Sequence, residues 1–318
     1  MRRNRPSMTA SAVACCSYFQ MNAPSTASLV DDQWRTWARC VLKASGWRNA
    51  LFSWFAALPL THTMYGKRLL SPYQRYPMHL LFRKLWVRAC VMRYIDEMAS
   101  RAGPRAVVII VGAGLDVLSF YLSEKFTNVD FIEVDHPATQ AVKQRALQVA
   151  RDANNGTGLP ENCRLIAMDL TRERLSQVLR DQGVQFLADQ PVLFVLEGLL
   201  MYLPEPTVQE LMADLAVISP MAQAAFSFLT PWSHSPLRRV AARMAAASLR
   251  IWGEPFRWQV TDEQVRERLQ DWGWVVHEVS TTALVAQRDF GFSSFDEKVV
   301  EPVCFASYRG HALCSASI

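Results

Sequence analysis

The sequence has no C-x-x-C pair. Its seven cysteines stand at positions 15, 16, 40, 90, 163, 304 and 314, and with an odd total and no metal-ligand spacing they indicate neither a zinc site nor a disulfide framework. Reduced thiols in a cytoplasmic protein are the expectation. Long hydrophobic runs are also missing: the mostly apolar stretch Leu51–Leu60 has ten residues, too few to cross a bilayer. The start Met1-Arg-Arg-Asn-Arg has the charged head of a signal peptide, yet the stretch Ala10–Phe19 behind it is broken by serines and lacks leucine, so secretion is not expected. Nor is there a basic tract. Residues 1–105 hold 16 Lys and Arg against 4 Asp and Glu, and the remainder 18 against 25. The arginines of the first part are scattered among tryptophans and prolines, which suits a solvated or packing role better than a nucleic acid or a membrane. Half the residues are apolar, enough for one large α/β unit with a cap.

What is present centres on residues 106–135. Ala106–Val111 is an unbroken apolar run rich in β-branched residues, as expected of a strand buried on both faces of a parallel sheet. Gly112 and Gly114 then let the backbone turn and approach a ligand closely, and Leu115, Leu118, Tyr121 and Leu122 recur at helical spacing. A second strand, Val129–Val134, ends on Asp135, 23 residues past Gly112. A β-α-β unit of this length places a carboxylate where it accepts hydrogen bonds from ribose hydroxyls. A dinucleotide fingerprint would need a third glycine, and here Val117 stands in its place, with Asp116 in the first turn repelling a pyrophosphate. A cationic ligand such as S-adenosylmethionine, which carries adenosine and a sulfonium but no phosphate, suits the site better. The other reading of the turn is simple chain reversal.

Three blocks make the resemblance to a family specific: Val111-Gly-Ala-Gly-Leu-Asp116; Phe131-Ile-Glu-Val-Asp-His-Pro-Ala-Thr-Gln140 with Lys143 behind it; and Leu196-Glu-Gly-Leu-Leu-Met-Tyr-Leu-Pro204. Across roughly residues 85–275 the chain resembles the leucine carboxyl methyltransferase family and its bacterial O-methyltransferase relatives. The resemblance implies a class I methyltransferase (Rossmann-like) α/β fold, a seven-stranded sheet with its last strand antiparallel, and S-adenosylmethionine as cofactor. It also implies an N-terminal helical cap over the cofactor. The expected organisation is a disordered lead at 1–28, a helical cap at 29–104 and a core at 105–318 that contains a cap insertion at 230–258.

The resemblance supplies roles for further residues. Asp169 and Leu170, after a strand Cys163–Met168, match a D-L pair that holds the adenine amino group; the alternative for Asp169 is a cap for a helix at 171–180. Tyr202 corresponds to a tyrosine placed beside the transferring methyl or the substrate, the alternative being a packed aromatic. One arginine in the N-terminal helices usually holds the cofactor carboxylate, but its usual place is Val91 here. Arg88, a helical turn earlier, is the candidate substitute, with surface solvation the alternative. Glu197 is read from its residues: it follows a strand 191–196 at the carboxyl edge, where a carboxylate can hold an ammonium group.

Further along, strands are expected at Ala222–Leu229, Trp274–Val279 and Val299–Tyr308, the last two as a closing hairpin with Pro302 marking an edge. Thr261–Gln264 reads as a capping box. The tryptophans Trp34, Trp37, Trp47 and Trp54 are expected to roof the mouth of the site, and the arginines 238, 239, 243 and 250 to lie on the polar face of a helix. His136 reads as a helix-start residue and His234 as a remote candidate base.

Methyl transfer from a sulfonium is an in-line displacement of an already activated group, so the protein mainly orients and excludes water. A carboxylate acceptor needs no base at neutral pH, which agrees with the lack of an evident His-Asp pair. The expected function is therefore O-methylation of a small metabolite at a carboxylate or hydroxyl, with no metal. Methylation at sulfur or nitrogen is the alternative. An NAD(P)-dependent oxidoreductase or a non-catalytic adenosine-binding protein is the reading from another class, disfavoured by Val117 and by the Glu197 block.

Overall fold

The computed structural model describes residues 7–46, 49, 51, 54, 71–101, 103, 105–153, 160–186, 190–231, 254–292 and 301–309. Seven strands form one sheet in the order β3-β2-β1-β4-β5-β7-β6. The strands are β1 (Ala106–Val111), β2 (Val129–Asp135), β3 (Cys163–Ala167), β4 (Val192–Leu196), β5 (Ala222–Ser227), β6 (Trp274–Ser280) and β7 (Val303–Tyr308). The first five run parallel, and β7 pairs antiparallel with both β5 and β6. All six residues of β1 are buried. Val107, Ile109 and Val111 enter one core cluster, while Ala106, Val108 and Ile110 enter the other. That is the period-two alternation of a strand covered on both faces. Burying each Val or Ile here is worth roughly 1.5–3 kcal/mol, so β1 anchors both layers.

Helices clothe the two faces. Over one lie α2 (Asp32–Ala44), α3 (Ser71–Ala99), α4 (Leu118–Lys125), α5 (Pro137–Ala153) and α9 (Thr282–Phe290); over the other lie α6 (Leu175–Asp181), α7 (Glu205–Ile218) and α8 (Asp262–Asp271). The crossovers after β1 and β2 and those after β3 and β4 therefore cover opposite faces. The strand order reverses between β1 and β4, and at such a switch point a crevice opens at the carboxyl ends of the strands. Helix α8 starts with the expected capping box, Thr261 and Gln264 exchanging side-chain and backbone bonds.

Several expectations are corrected. The lead at 1–28 contains a helix, α1 (Met8–Met21), capped by the Ser7 side chain, which accepts from the Ala10 N–H at 2.9 Å. Small residues dominate its first half, so no apolar stripe announces it; burial of Tyr18, Phe19 and Met21 holds it in place instead. Trp34 and Trp37 do not roof the mouth. Trp34 stacks on Tyr121 of α4 at 5.5 Å, and the Trp37 indole donates to Glu124 at 2.9 Å. Trp54 is exposed, and Trp47 lies outside the described residues, as do positions 232–253 with His234 and the four arginines. Strand β7 is internal rather than an edge. Pro302 precedes its first paired residue, so the missing N–H costs no ladder bond, and the Pro302 carbonyl accepts from Phe228 instead. Helix α9 intervenes between β6 and β7, so they do not form a tight hairpin. Helix α3 continues through Pro77, and the buried residues Leu80, Leu81, Phe82, Leu85 and Trp86 that follow offset the lost hydrogen bond.

Beneath β2, Lys143 of α5 pairs with Glu133, and both side chains are fully buried. Ser119 of α4 donates to the other carboxylate oxygen, and the Lys143 ammonium lies 5.1 Å from the Phe120 ring centre. Burial pushes the Glu133 carboxyl up in spite of its partners. A pair of this kind is weak evidence of net stability, but removing one partner strands a buried charge. We expect Lys143→Met to lower the unfolding free energy by about 3–5 kcal/mol in urea titration, and Glu133→Gln with Lys143→Met to cost less than the single change.

Candidate functional site

The crevice begins at the glycine turn after β1. Gly112 and Gly114 have φ of +75° and +55°, and the Gly112 N–H donates to the Val134 carbonyl at 2.7 Å. A Cβ on Gly112 would lie 2.8 Å from a methyl of Leu199, and one on Gly114 would lie 3.2 Å from Cβ of Ala10 in α1. The turn is thus glycine by conformation and by closeness of its neighbours. Asp135 ends β2 beside it, 5% exposed. Its Oδ2 accepts from the Gly114 N–H at 2.5 Å and its Oδ1 from the His136 N–H at 2.6 Å. Burial raises its pKa against these two bonds. Each oxygen retains a lone pair for a hydroxyl donor. His136 has the expected helix-start role: its carbonyl accepts from Thr139 and Gln140, and Nδ1 accepts from the Ala138 N–H at 3.3 Å.

Glu197 follows β4, with Gly198 behind it at φ +63°. Two cations from α3 reach it. Arg83 Nε donates to Oε1 at 3.0 Å, and Lys84 Nζ donates to Oε1 at 3.1 Å and to Oε2 at 3.4 Å. Lys84 also pairs with Asp116, whose Oδ1 accepts from the Leu118 N–H at 2.7 Å at the start of α4. Burial would raise the Asp116 pKa, but Lys84 outweighs it and holds the carboxyl below its usual range. The cation that Asp116 favours is therefore supplied by the chain.

Asp169 and Leu170 follow β3. The Asp169 carboxylate accepts from the Thr171 N–H at 3.0 Å and its hydroxyl at 2.6 Å, and the Asp169 N–H donates to Glu173 at 2.8 Å. Burial acts to raise the Asp169 pKa, but the bonds from Thr171 together with the nearby His136 and Arg172 outweigh it and leave the group below its usual range. Asp169 closes this turn, while α6 begins later, at Leu175. Leu170 packs against the second core cluster. The Met168 N–H donates to the Asp135 carbonyl at 2.9 Å, which keeps this loop beside the end of β2. Tyr202 ends a single 3-10 turn, Leu200–Tyr202, and its ring lies 5.5 Å from that of Phe256. The Arg257 N–H donates to the Met201 carbonyl at 2.7 Å, which docks segment 254–260 onto this turn. The start of α1 lies beside the glycine turn and is tied to two other segments: the Ser7 N–H donates to Thr139 at 3.2 Å, and the Thr9 N–H to Glu254 at 3.2 Å.

The structure brings Gly112, Gly114, Asp135 and Glu197 to the neighbouring carboxyl ends of β1, β2 and β4, with Asp169 and Leu170 after β3 and Tyr202 in the turn that follows Glu197. It does not bring Arg88 there. The Arg88 guanidinium lies 5.5 Å from the ring centres of both Trp34 and Tyr121 and pairs with Asp31 at 3.4 Å, so α2 and α4 hold it away from Glu197. Arg83 and Lys84, which sequence reasoning missed, occupy that place. Their signal is a dibasic pair inside the apolar run Leu80–Trp86, where solvation of both charges would be impossible.

A second layer backs this site. Arg83 Nη1 donates to Glu301 Oε1, the Ser227 hydroxyl donates to the same oxygen at 2.8 Å, and His79 Nε2 lies 3.0 Å from Oε2. Burial pushes the Glu301 carboxyl up, but Arg83, His79 and Ser227 outweigh it and hold its pKa at about 2. Burial lowers the pKa of His79, which is therefore neutral and donates through Nε2 while Nδ1 accepts from Thr282 at 2.7 Å.

A profile of the family described as leucine carboxyl methyltransferase matches residues 20–216. A Mycolicibacterium smegmatis protein named "Putative S-adenosyl-L-methionine-dependent methyltransferase" is 29% identical over 211 residues, 58% of this chain and 66% of that protein. A Bacillus subtilis protein of the same description is 28% identical over 176 residues, 54% of each. The chain thus spans about half to two thirds of the length of these relatives. Among solved structures, a DUF574 family protein from Streptomyces avermitilis superposes with a TM-score of 0.52 at 14% identity, covering 92% of this chain and 99% of that one. A protein from Thermobifida fusca, titled a putative methyltransferase, has a TM-score of 0.52 at 15% identity, covering 85% and 94%. Both show the same fold.

The depressed pKa of Glu301 sets a pH dependence. Its folded value lies below the ordinary 4.5, so its contribution is complete above that pH and is lost as the pH falls through about 2. The lowered pKa of His79 acts in the same direction, its contribution falling as the pH drops below the usual histidine range. Urea unfolding at a series of pH values is expected to show a decline between pH 5 and 2 that is smaller in Glu301→Gln by up to about 3 kcal/mol.

Proposed function

The chain belongs to the leucine carboxyl methyltransferase family, and on that premise we propose that it is an S-adenosylmethionine-dependent O-methyltransferase acting on a carboxylate or hydroxyl of a small metabolite. One arrangement carries the reading: a buried carboxylate, Asp135, beside the glycine turn, and across the crevice a second carboxylate, Glu197, flanked by Arg83 and Lys84. The first suits the vicinal hydroxyls of a ribose. The second set suits a zwitterion, Glu197 taking the ammonium and Lys84 with Arg83 the carboxylate. The relatives' names accord with this donor set.

When bound, S-adenosylmethionine supplies a methyl group already activated by its sulfonium. The chain's own task is then orientation. Asp135 and Glu197 hold the two ends of the cofactor, Asp169 and Leu170 border the adenine side, and Tyr202 with Phe256 lines the acceptor side. Fixing donor and acceptor in line can be worth roughly 7–11 kcal/mol. Helix α1 over the glycine turn and the docked segment 254–260 exclude water from this space. A carboxylate acceptor is ionised at neutral pH and attacks without a base. For a hydroxyl acceptor, the Tyr202 hydroxyl is the candidate hydrogen-bond acceptor that orients the O–H, and the proton passes to solvent as the O–CH3 bond forms and the S–CH3 bond breaks.

Calorimetric titration tests the cofactor assignment. S-adenosylhomocysteine should bind saturably and NADH should not, with Asp135→Ala and Glu197→Gln each weakening binding about tenfold or more. Lys84→Met should weaken it likewise, and Arg88→Met should leave it unchanged; a loss confined to Arg88→Met would reverse that assignment. For the acceptor, incubation with methyl-labelled donor and mixed metabolites should yield label that base releases as methanol if an ester forms. Label that resists base excludes an ester and leaves an ether, a thioether or an N-methyl product, which the mass spectrum of the labelled product separates.

A further inference from the structure

Outside the crevice itself, the polar contacts behind Glu197 close into a ring. Arg83 Nε donates to Glu197 at 3.0 Å, and the same guanidinium donates through Nη1 to Glu301. Glu301 Oε1 also accepts from the Ser227 hydroxyl at 2.8 Å, and Ser227 Oγ accepts from the Gly198 N–H at 2.8 Å. Gly198 is covalently next to Glu197, so the circuit returns to its start. A Cβ on Gly198 would stand 3.2 Å from Arg83 Nη2; only glycine at this positive φ lets the guanidinium lie against the backbone behind the carboxylate. The second oxygen of Glu301 is taken by His79, which Thr282 orients.

We propose that Glu301 is a positioning residue for the amino-acid end of the cofactor, fixing Arg83 on one side of Glu197 and, through Ser227, the Gly198 peptide on the other. This rests on the S-adenosylmethionine reading above. Glu301 is buried and both of its oxygens are engaged, so it acts through its neighbours rather than by touching the ligand. A carboxylate at this point does two jobs that an amide cannot do together: it balances the Arg83 charge and accepts from three donors at once. Without it more of the Arg83 charge falls on Glu197, and the site loses the separation of anion and cation that a zwitterion requires.

The test compares two ligands on the intact protein. S-adenosylhomocysteine has the amino-acid end, and 5′-methylthioadenosine has the same nucleoside and thioether without it. In Glu301→Gln the Kd for S-adenosylhomocysteine should rise tenfold or more, while that for 5′-methylthioadenosine changes less than threefold. Ser227→Ala should show the same selectivity with a smaller rise, and it decides the matter if Glu301→Gln does not fold. Equal weakening of both ligands would reduce Glu301 to a general structural role, and no change for either would remove it from the site. A wild-type protein that binds neither ligand would overturn the cofactor reading itself.

Discussion

Two cations on one turn of α3 cannot be buried unless acids meet them, and much of the site follows from that constraint. Arg83 and Lys84 are 4% and 6% exposed, and taking such charges out of water costs several kcal/mol each unless they are paired and hydrogen-bonded. The partners come from three separate places: Asp116 after β1, Glu197 after β4 and Glu301 before β7. Satisfying all three fixes how α3 crosses the carboxyl edge of the sheet. It also leaves Glu197 with cations on its flank, so that charges of both signs stand together at the carboxyl edge of the sheet.

The parallel sheet supplies the rest of the geometry. Because β1 is buried on both faces, its end is held rigidly, and the glycine turn can bring backbone N–H groups close to Asp135. Helix α1 then packs so near the turn that a Cβ on Gly114 would press on Ala10 at 3.2 Å. The proposed binding groups thus sit on strand ends, while α1 and segment 254–260 pack beside them. This division suits a reaction in which the activated group arrives with the ligand and the protein contributes alignment.

Local signals and distant contacts differ in what they make legible. Strand β1 matches its expected bounds because an apolar β-branched run between polar flanks is a property of neighbouring residues. Gly112, Gly114 and Asp135 are legible for the same reason, all lying within one β-α-β unit. Arg88 does not reach Glu197 because helical periodicity says which residues share a face but not which neighbour covers that face; here Trp34, Tyr121 and Asp31 do. Helix α1 has no local signal because it is stabilised by contacts with distant residues rather than by an apolar stripe. Pro302 suggested an edge strand, but its effect depends on whether it stands inside the ladder or just before it.

The order of residues, then, was enough to establish the parallel α/β architecture, the glycine turn, and the acids after β2 and β4, since each depends on burial period and backbone conformation over a few adjacent positions. The pairing of Lys84 with Glu197 across 113 residues and of His79 with Glu301 across 222 was decided only when the chain folded. No local pattern encodes which buried acid a given cation will meet. That choice is made by the crossing of α3 over the sheet, where the cost of an unpaired charge admits one arrangement.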